Sequence, residues 1–182
     1  MSEKRYIYDL SEGDATMRNL LGGKGAGVAE MARVGVPVPD AFTVTTTACV
    51  ETMNRGGEWP DGLADEINAG LTRLEERTGR KLGGSENPLL VSVRSGAVFS
   101  MPGMMDTILN LGLNDEVVEG LARKTGNERF AYDSYRRFVQ MYGDVVLGMK
   151  PTNKEDIDPF EEIIQQVKAE RGIKLDNEMT VD

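Results

Sequence analysis

Hydrophobic residues recur along this chain with two different periods, and the change between them divides it. Through residue 113, short apolar runs alternate with breaks rich in glycine and proline. RYIYDL, Arg5–Leu10, reads as a first strand because Tyr and Ile favour a pleated surface. Residues 11–21 read as turn and loop. LGGKGAG, Leu21–Gly27, leads into a helix over Ala26–Val34 that Gly35 closes and that Pro37 and Pro39 cannot continue. AFTVT, Ala41–Thr45, reads as a short strand, and the threonines at 45–47 offer N-caps for a helix reaching Asn54. After a loop over 55–62, Leu63, Ile67, Leu71 and Leu74 fall on one helical face that ends near Gly79. Residues 80–88 read as loop. LLVSV, 89–93, is short, dense and β-branched, which predicts a central strand covered on both faces. A loop of small residues and methionines follows, then a second strand to Leu113.

Beyond residue 113 the period is helical throughout. Asn114 is placed to cap a helix whose first turn carries Asp115 and Glu116, with Val117, Val118 and Leu121 as its apolar face and Gly126 as its end. A longer helix over Glu128–Leu147 gathers Ala131, Tyr135, Phe138, Tyr142 and Val145 on one side. In the third, Asp158 is the N-cap, Pro159 takes the first helical position and Glu161 is set to close a capping box. Phe160, Ile163, Ile164 and Val167 form its apolar stripe, and Gly172 stops it. The expected fold class is α+β, with mixed α and β over 1–113 and helices only over 114–182. The polar end DNEMTVD lacks a structural close and suggests a chain cut from something longer.

Composition narrows the function classes. With 182 residues and a 40% hydrophobic share, the chain can bury a core. Its formal net charge of −9 argues against nucleic acid, whose phosphate backbone needs a basic face. No apolar stretch approaches the ~20 residues of a membrane helix. One cysteine, Cys49, precludes an intrachain disulfide and fits a reducing compartment, so a cytoplasmic protein is expected. Cys49 itself reads as a small buried side chain on a helix. There is no histidine, so neither a histidine base nor a phosphohistidine can come from this chain.

Three places carry candidate chemistry. Lys24 stands among glycines at a helix start, where free N–H groups and a positive dipole end suit phosphate. The Walker pattern is not met, because Gly25 follows the lysine, and a solvated lysine in a glycine turn remains open. Arg94 interrupts the apolar strand. A buried arginine needs a partner, either phosphate oxygens held bidentately or a carboxylate in an ion pair. MPGMMD, Met101–Asp106, could converge backbone amides on an anion, or its methionines could fill core under a loop. Asp106 suits either Mg²⁺ or the capping of a turn. Arg136 and Arg137, beside Asp133, read as a solvated or ion-paired face.

NLLGGKGAGVAEM, PVPDAFTVTT, LLVSVRSGAVFSMPGMMDTILNLGLND and ERFAYDSYRRFVQMYGDVV together resemble the N-terminal part of the pyruvate, phosphate dikinase family, over Tyr8–Val146. SMPGMMDTILNLGL separates the chain from phosphoenolpyruvate synthase, a relative with a different following loop. The resemblance implies an ATP-grasp-like nucleotide site, and an enzyme converting ATP, phosphate and pyruvate to AMP, pyrophosphate and phosphoenolpyruvate. It implies Lys24 and Arg94 as the phosphate-binding and catalytic cations, with Gly103, Met104, Met105 and Asp106 along the triphosphate. Residues 1–113 would be the phosphate-binding lobe and 114–182 an incomplete helical subdomain. By the same resemblance, the Mg²⁺ ligands, most of the adenine pocket, the swivelling histidine domain, the pyruvate-binding barrel and the homodimer contacts lie outside this chain. The 182 residues alone are then expected to be inactive and to bind nucleotide weakly. Two other classes stay in view: a related dikinase with another acceptor, and a non-catalytic module that binds nucleotide or a protein.

Overall fold

A computed structural model describes residues 4–96, 106–151, 153 and 157–181. The class is mixed α and β, as expected, but among the described residues the strands are short and form three separate hydrogen-bonded pairs. By its internal contacts the chain forms two compact units: Met1–Arg80 with Arg94–Asp106, and Lys81–Val93 with Thr107–Asp182. This division does not follow the boundary at 113/114 drawn from hydrophobic period, because the strands over 81–93 and 107–111 belong with the helical half.

In the first unit, β1 (Ile7–Asp9) pairs antiparallel with β2 (Phe42–Val44) in the register Ile7 to Val44. α1 spans Arg18–Arg33, eight residues earlier than the helix expected from Ala26. It is broken at Gly22, whose φ of 70° and ψ of 169° are not helical and suit a residue without a Cβ. The glycine run is therefore a kink within a helix, and the segment read as loop before it is already partly helical. α2 (Thr46–Asn54) is capped by Thr45, whose side chain accepts from the Ala48 N–H. α3 (Leu63–Thr78) ends at Gly79 as its pattern predicts.

Tyr6, Ala48 and Leu63 form an apolar cluster of this unit with Ile67 against them, and Ile7, Leu21, Ala26, Ala29 and Leu74 are buried as well. Polar cross-links add to this burial. The Glu66 carboxylate accepts from the backbone N–H of Tyr6 at 2.9 Å and of Ile7 at 3.0 Å. Asp9 accepts from Arg73 Nε at 2.8 Å and from Arg77 at 3.4 Å. Cys49 is exposed, contrary to expectation, because Ala48 takes the buried side of α2.

In the second unit, β3 (Lys81–Leu82) pairs parallel with β4 (Pro88–Leu89), where a loop was expected. β5 (Val91–Arg94) pairs with β6 (Thr107–Leu111). The expected central strand covered on both faces is not found. Leu89 is buried and Leu90 packs on the core, but Ser92, Val93 and Arg94 are exposed, and among the described residues β5 pairs with β6 alone. α4 (Asp115–Thr125) starts on the Asn114 cap, which accepts from the Val117 N–H at 2.8 Å. α5 spans Glu128–Val145 and α6 spans Pro159–Arg171. Asp158 accepts from the N–H groups of Phe160 and Glu161, whereas the Glu161 carboxylate accepts from Gln165 instead of completing a box. Of the α6 stripe, Ile164 is buried and Ile163 is 60% exposed. Leu113, Val117, Val118, Leu121, Ala122 and Ala131 make the core. Arg136 and Arg137 both pair with Asp133, as the ion-paired reading has it.

Candidate nucleotide-phosphate site

The site is built within the first unit from the kink of α1 and the end of β5. Past Gly22 the second segment of α1 begins, and Lys24 lies in its first turn, half-buried. The amides of such a turn have no partner within the helix and carry the positive end of its dipole. Two contacts fix this place. Thr46, the first residue of α2, donates from Oγ1 to the Asn19 carbonyl at 2.6 Å, tying α2 to the segment before the kink. Gly25 lies so close to β2 that a Cβ there would stand 2.8 Å from Cγ2 of Thr43. Any side chain at 25 would push the lysine turn away from its strand.

Lys24 Nζ donates to the backbone carbonyl of Ser95 at 3.2 Å, across 71 residues of sequence. Ser95 directly follows Arg94. The fold thus brings the lysine turn and the Arg94–Ser95 segment together, a juxtaposition sequence spacing alone does not give. Lys24 is therefore not the freely solvated lysine of a glycine turn.

Arg94 differs from its expectation. The apolar strand around it predicts burial, but it is exposed at the end of β5. Neither a hydrogen bond nor an ion pair of its side chain is seen among the described residues, so the alternative of a buried ion pair finds no support there. An exposed guanidinium still offers five donors in a planar fork to an incoming anion.

Asp106 is exposed, and its contribution is made by its backbone. Its carbonyl accepts from both the Ser95 N–H at 3.0 Å and Ser95 Oγ at 3.1 Å. Gly103, Met104 and Met105, with the rest of the expected amide loop, lie outside the described residues. Among the described residues no group of three or more histidine, cysteine, aspartate or glutamate side chains is placed to hold a metal. Two concavities, of about 780 and 380 Å³, belong to the second unit and are lined by neither Lys24 nor Arg94. No helix among the described residues is long and apolar enough to cross a membrane.

Sequence reasoning passed over Thr46 and Ser95. Thr46 stood in a threonine run read only for capping. Ser95, next to Arg94, carries no signal of its own in the sequence. Each is a hydroxyl residue adjoining a candidate cation segment, which is common enough to say little without the fold.

The comparisons with known proteins bear first on the class. Residues 18–76, which include Lys24, match the family described as pyruvate phosphate dikinase, AMP/ATP-binding domain. The particular relatives agree. The chain is 56% identical over 178 residues to pyruvate, phosphate dikinase of Clostridium symbiosum, covering 98% of this chain and 20% of that protein. It is 49% identical over 173 residues to the Entamoeba histolytica protein of that name, covering 95% and 19%. It is 54% identical over 170 residues to chloroplastic pyruvate, phosphate dikinase of Flaveria trinervia, covering 93% and 17%. The resemblance seen in the sequence is borne out over nearly the whole chain, and the chain spans about a fifth of the length of these relatives.

Proposed function

We propose that this chain is the N-terminal, ATP-binding portion of a pyruvate, phosphate dikinase. In the full-length enzyme it would hold ATP while a phosphoryl group passes to a histidine on a swivelling domain, and from there to pyruvate bound in a barrel. With inorganic phosphate consumed alongside ATP and pyruvate, the products are AMP, pyrophosphate and phosphoenolpyruvate. The observation that carries this reading is the bond from Lys24 Nζ to Ser95 O, which sets one candidate cation beside the segment bearing the other. Agreement with relatives of that name over more than nine-tenths of the chain supports it.

The chemistry follows from charge. Phosphoryl transfer asks little covalent work of the protein; it asks for positioned cations where negative charge spreads in the transition state. Lys24 supplies a point charge beside free helix-start amides. Arg94 supplies a bidentate fork that fits two phosphate oxygens, and its exposure leaves it open to them. The reading includes an ATP-grasp-like arrangement, with the unit that carries Lys24 and Arg94 as the phosphate-binding lobe and the helices beyond residue 113 as part of a helical subdomain. It also includes Gly103–Asp106 along the triphosphate, Mg²⁺ held by residues outside this chain, a homodimeric full-length enzyme and a cytoplasmic setting. The 182 residues alone would not complete the reaction.

The test uses the full-length protein. Arg94→Ala should lower ATP-dependent histidine phosphorylation by about 10²–10³-fold, the usual effect of removing one electrostatic contact to a transition state. Single-turnover transfer from labelled ATP measures it. A rate near that of the unaltered protein would return Arg94 to a surface charge and remove the proposed role.

A further inference from the structure

Ser95 joins three hydrogen bonds between segments far apart in sequence. Its N–H and its Oγ both donate to the Asp106 carbonyl, at 3.0 and 3.1 Å, and its own carbonyl accepts from Lys24 Nζ at 3.2 Å. We infer that Ser95 is a positioning residue for Lys24: clasped to Asp106, it presents a fixed carbonyl that aims the ammonium at the triphosphate. This rests on the reading of Lys24 as a triphosphate-binding cation.

The argument is one of preorganisation. A lysine ammonium rides on a flexible four-carbon stem, and immobilising it on a ligand costs side-chain entropy. A partner that holds it beforehand removes part of that cost from binding. The kind of partner decides whether the charge stays useful. A carboxylate would hold Lys24 more tightly but would neutralise it and compete with phosphate. A neutral carbonyl takes one of three N–H donors and leaves two, with the full positive charge, for an anion.

The carbonyl can aim the ammonium only if its own direction is fixed. Ser95 is exposed and is not locked by packing. Two bonds from one residue to one acceptor supply the constraint instead. The hydroxyl supplies one of the two, which gives the serine side chain a purpose that an alanine could not meet. Asp106 serves the clasp through its backbone carbonyl, so its carboxylate is not part of this device.

The experiment titrates ATP and AMP separately onto the full-length protein and onto Ser95→Ala, Ser95→Thr, Lys24→Ala and Ser95→Ala/Lys24→Ala. Ser95→Ala should weaken ATP about three- to ten-fold, the scale of one net hydrogen bond. AMP affinity should stay unchanged, and Ser95→Thr, which keeps the hydroxyl, should bind ATP as before. A residue acting through Lys24 has nothing left to aim once the ammonium is gone. In the Lys24→Ala background, removing the hydroxyl should therefore cost no further ATP affinity. The same loss in both backgrounds, an equal loss for AMP, or unaltered ATP affinity in Ser95→Ala would overturn the assignment. Unaltered ATP affinity in Lys24→Ala would instead remove the triphosphate reading itself, and the role of Ser95 with it.

Discussion

Glu66 and Val117 serve their units in different ways. In the first unit the Glu66 carboxylate reaches the backbone N–H groups of Tyr6 and Ile7, 60 and 59 residues away, and fastens α3 to β1. Asp9 on the same strand is fastened to α3 by Arg73 and Arg77. In the second unit Val117 and Val118 lie wholly inside an apolar cluster with Leu113, Leu121 and Ala131. There the backbone itself comes close: a Cβ on Gly120 would stand 1.7 Å from the Ser85 carbonyl oxygen. The unit that carries Lys24 and Arg94 thus adds polar cross-links between α3 and β1 to its buried side chains, whereas the other gathers the larger apolar cluster. A phosphate site needs backbone and cations left open to a ligand. Cross-links at the strand ends hold such a surface in place without filling it with side chains.

The largest expected effect breaks the packed unit. Gly120→Ala should destabilise it by about 3 kcal/mol, at the upper end of the usual cost of overpacking, because backbone cannot move aside as a flexible side chain can. The denaturant midpoint measures this, and an unchanged midpoint would mean that α4 and the Ser85 backbone are not packed as described.

The next effects separate the units by pH. Burial pushes the Asp9 carboxyl up, but hydrogen bonds from Arg73 and Arg77 outweigh it and hold the group below its ordinary value of 3.8. Its contribution is present above that value and is lost as pH falls through the lower folded value. Asp9→Asn should therefore cost about 1 kcal/mol at neutral pH, since both arginines are partly solvated. The difference from the unaltered protein should close on acidification below 3.8.

Asp144, near the end of α5, shows the reverse. Burial, and then the nearby charge of Asp158, push its carboxyl up, against a smaller opposing effect of Lys150. Its Oδ1 is buried without a hydrogen-bond partner among the described residues. A raised folded value favours the native state at low pH, and that contribution is lost as pH rises above the ordinary 3.8 through the folded value. Asp144→Asn, which removes the charge, should stabilise the protein slightly at neutral pH, by less than about 1 kcal/mol. That gain should disappear in acid. Stability curves of the two variants between neutral pH and pH 3 would thus converge on the unaltered protein from opposite sides; convergence from the same side would contradict the contrast drawn between these carboxylates.

What the sequence made legible is mostly local chemistry. The caps at Thr45, Asn114 and Asp158, and the stops at Gly79, Gly126 and Gly172, are written in a few adjacent residues and stand where they were expected. What it hid depends on contacts between distant segments. Whether LLVSV is covered depends on what lies beside it; among the described residues β5 pairs only with β6, and Arg94 at its end is exposed. The parallel pairing of two residues of β3 with two of β4 is too short to leave a period. The kink at Gly22 was hidden because a glycine run reads equally as a loop or as an interrupted helix. Lys24 was legible as a candidate, but its acceptor was not, since a backbone carbonyl leaves no mark in sequence.

The central claim is that the Lys24 turn and Arg94 receive a triphosphate. It is tested most directly by the ratio of ATP to AMP affinity in the full-length protein and in Lys24→Ala. Loss of a charge-assisted contact should weaken ATP about ten-fold or more. AMP, which lacks the two outer phosphates, should bind nearly as before, so the ratio should collapse. A ratio unchanged by the substitution would contradict the claim.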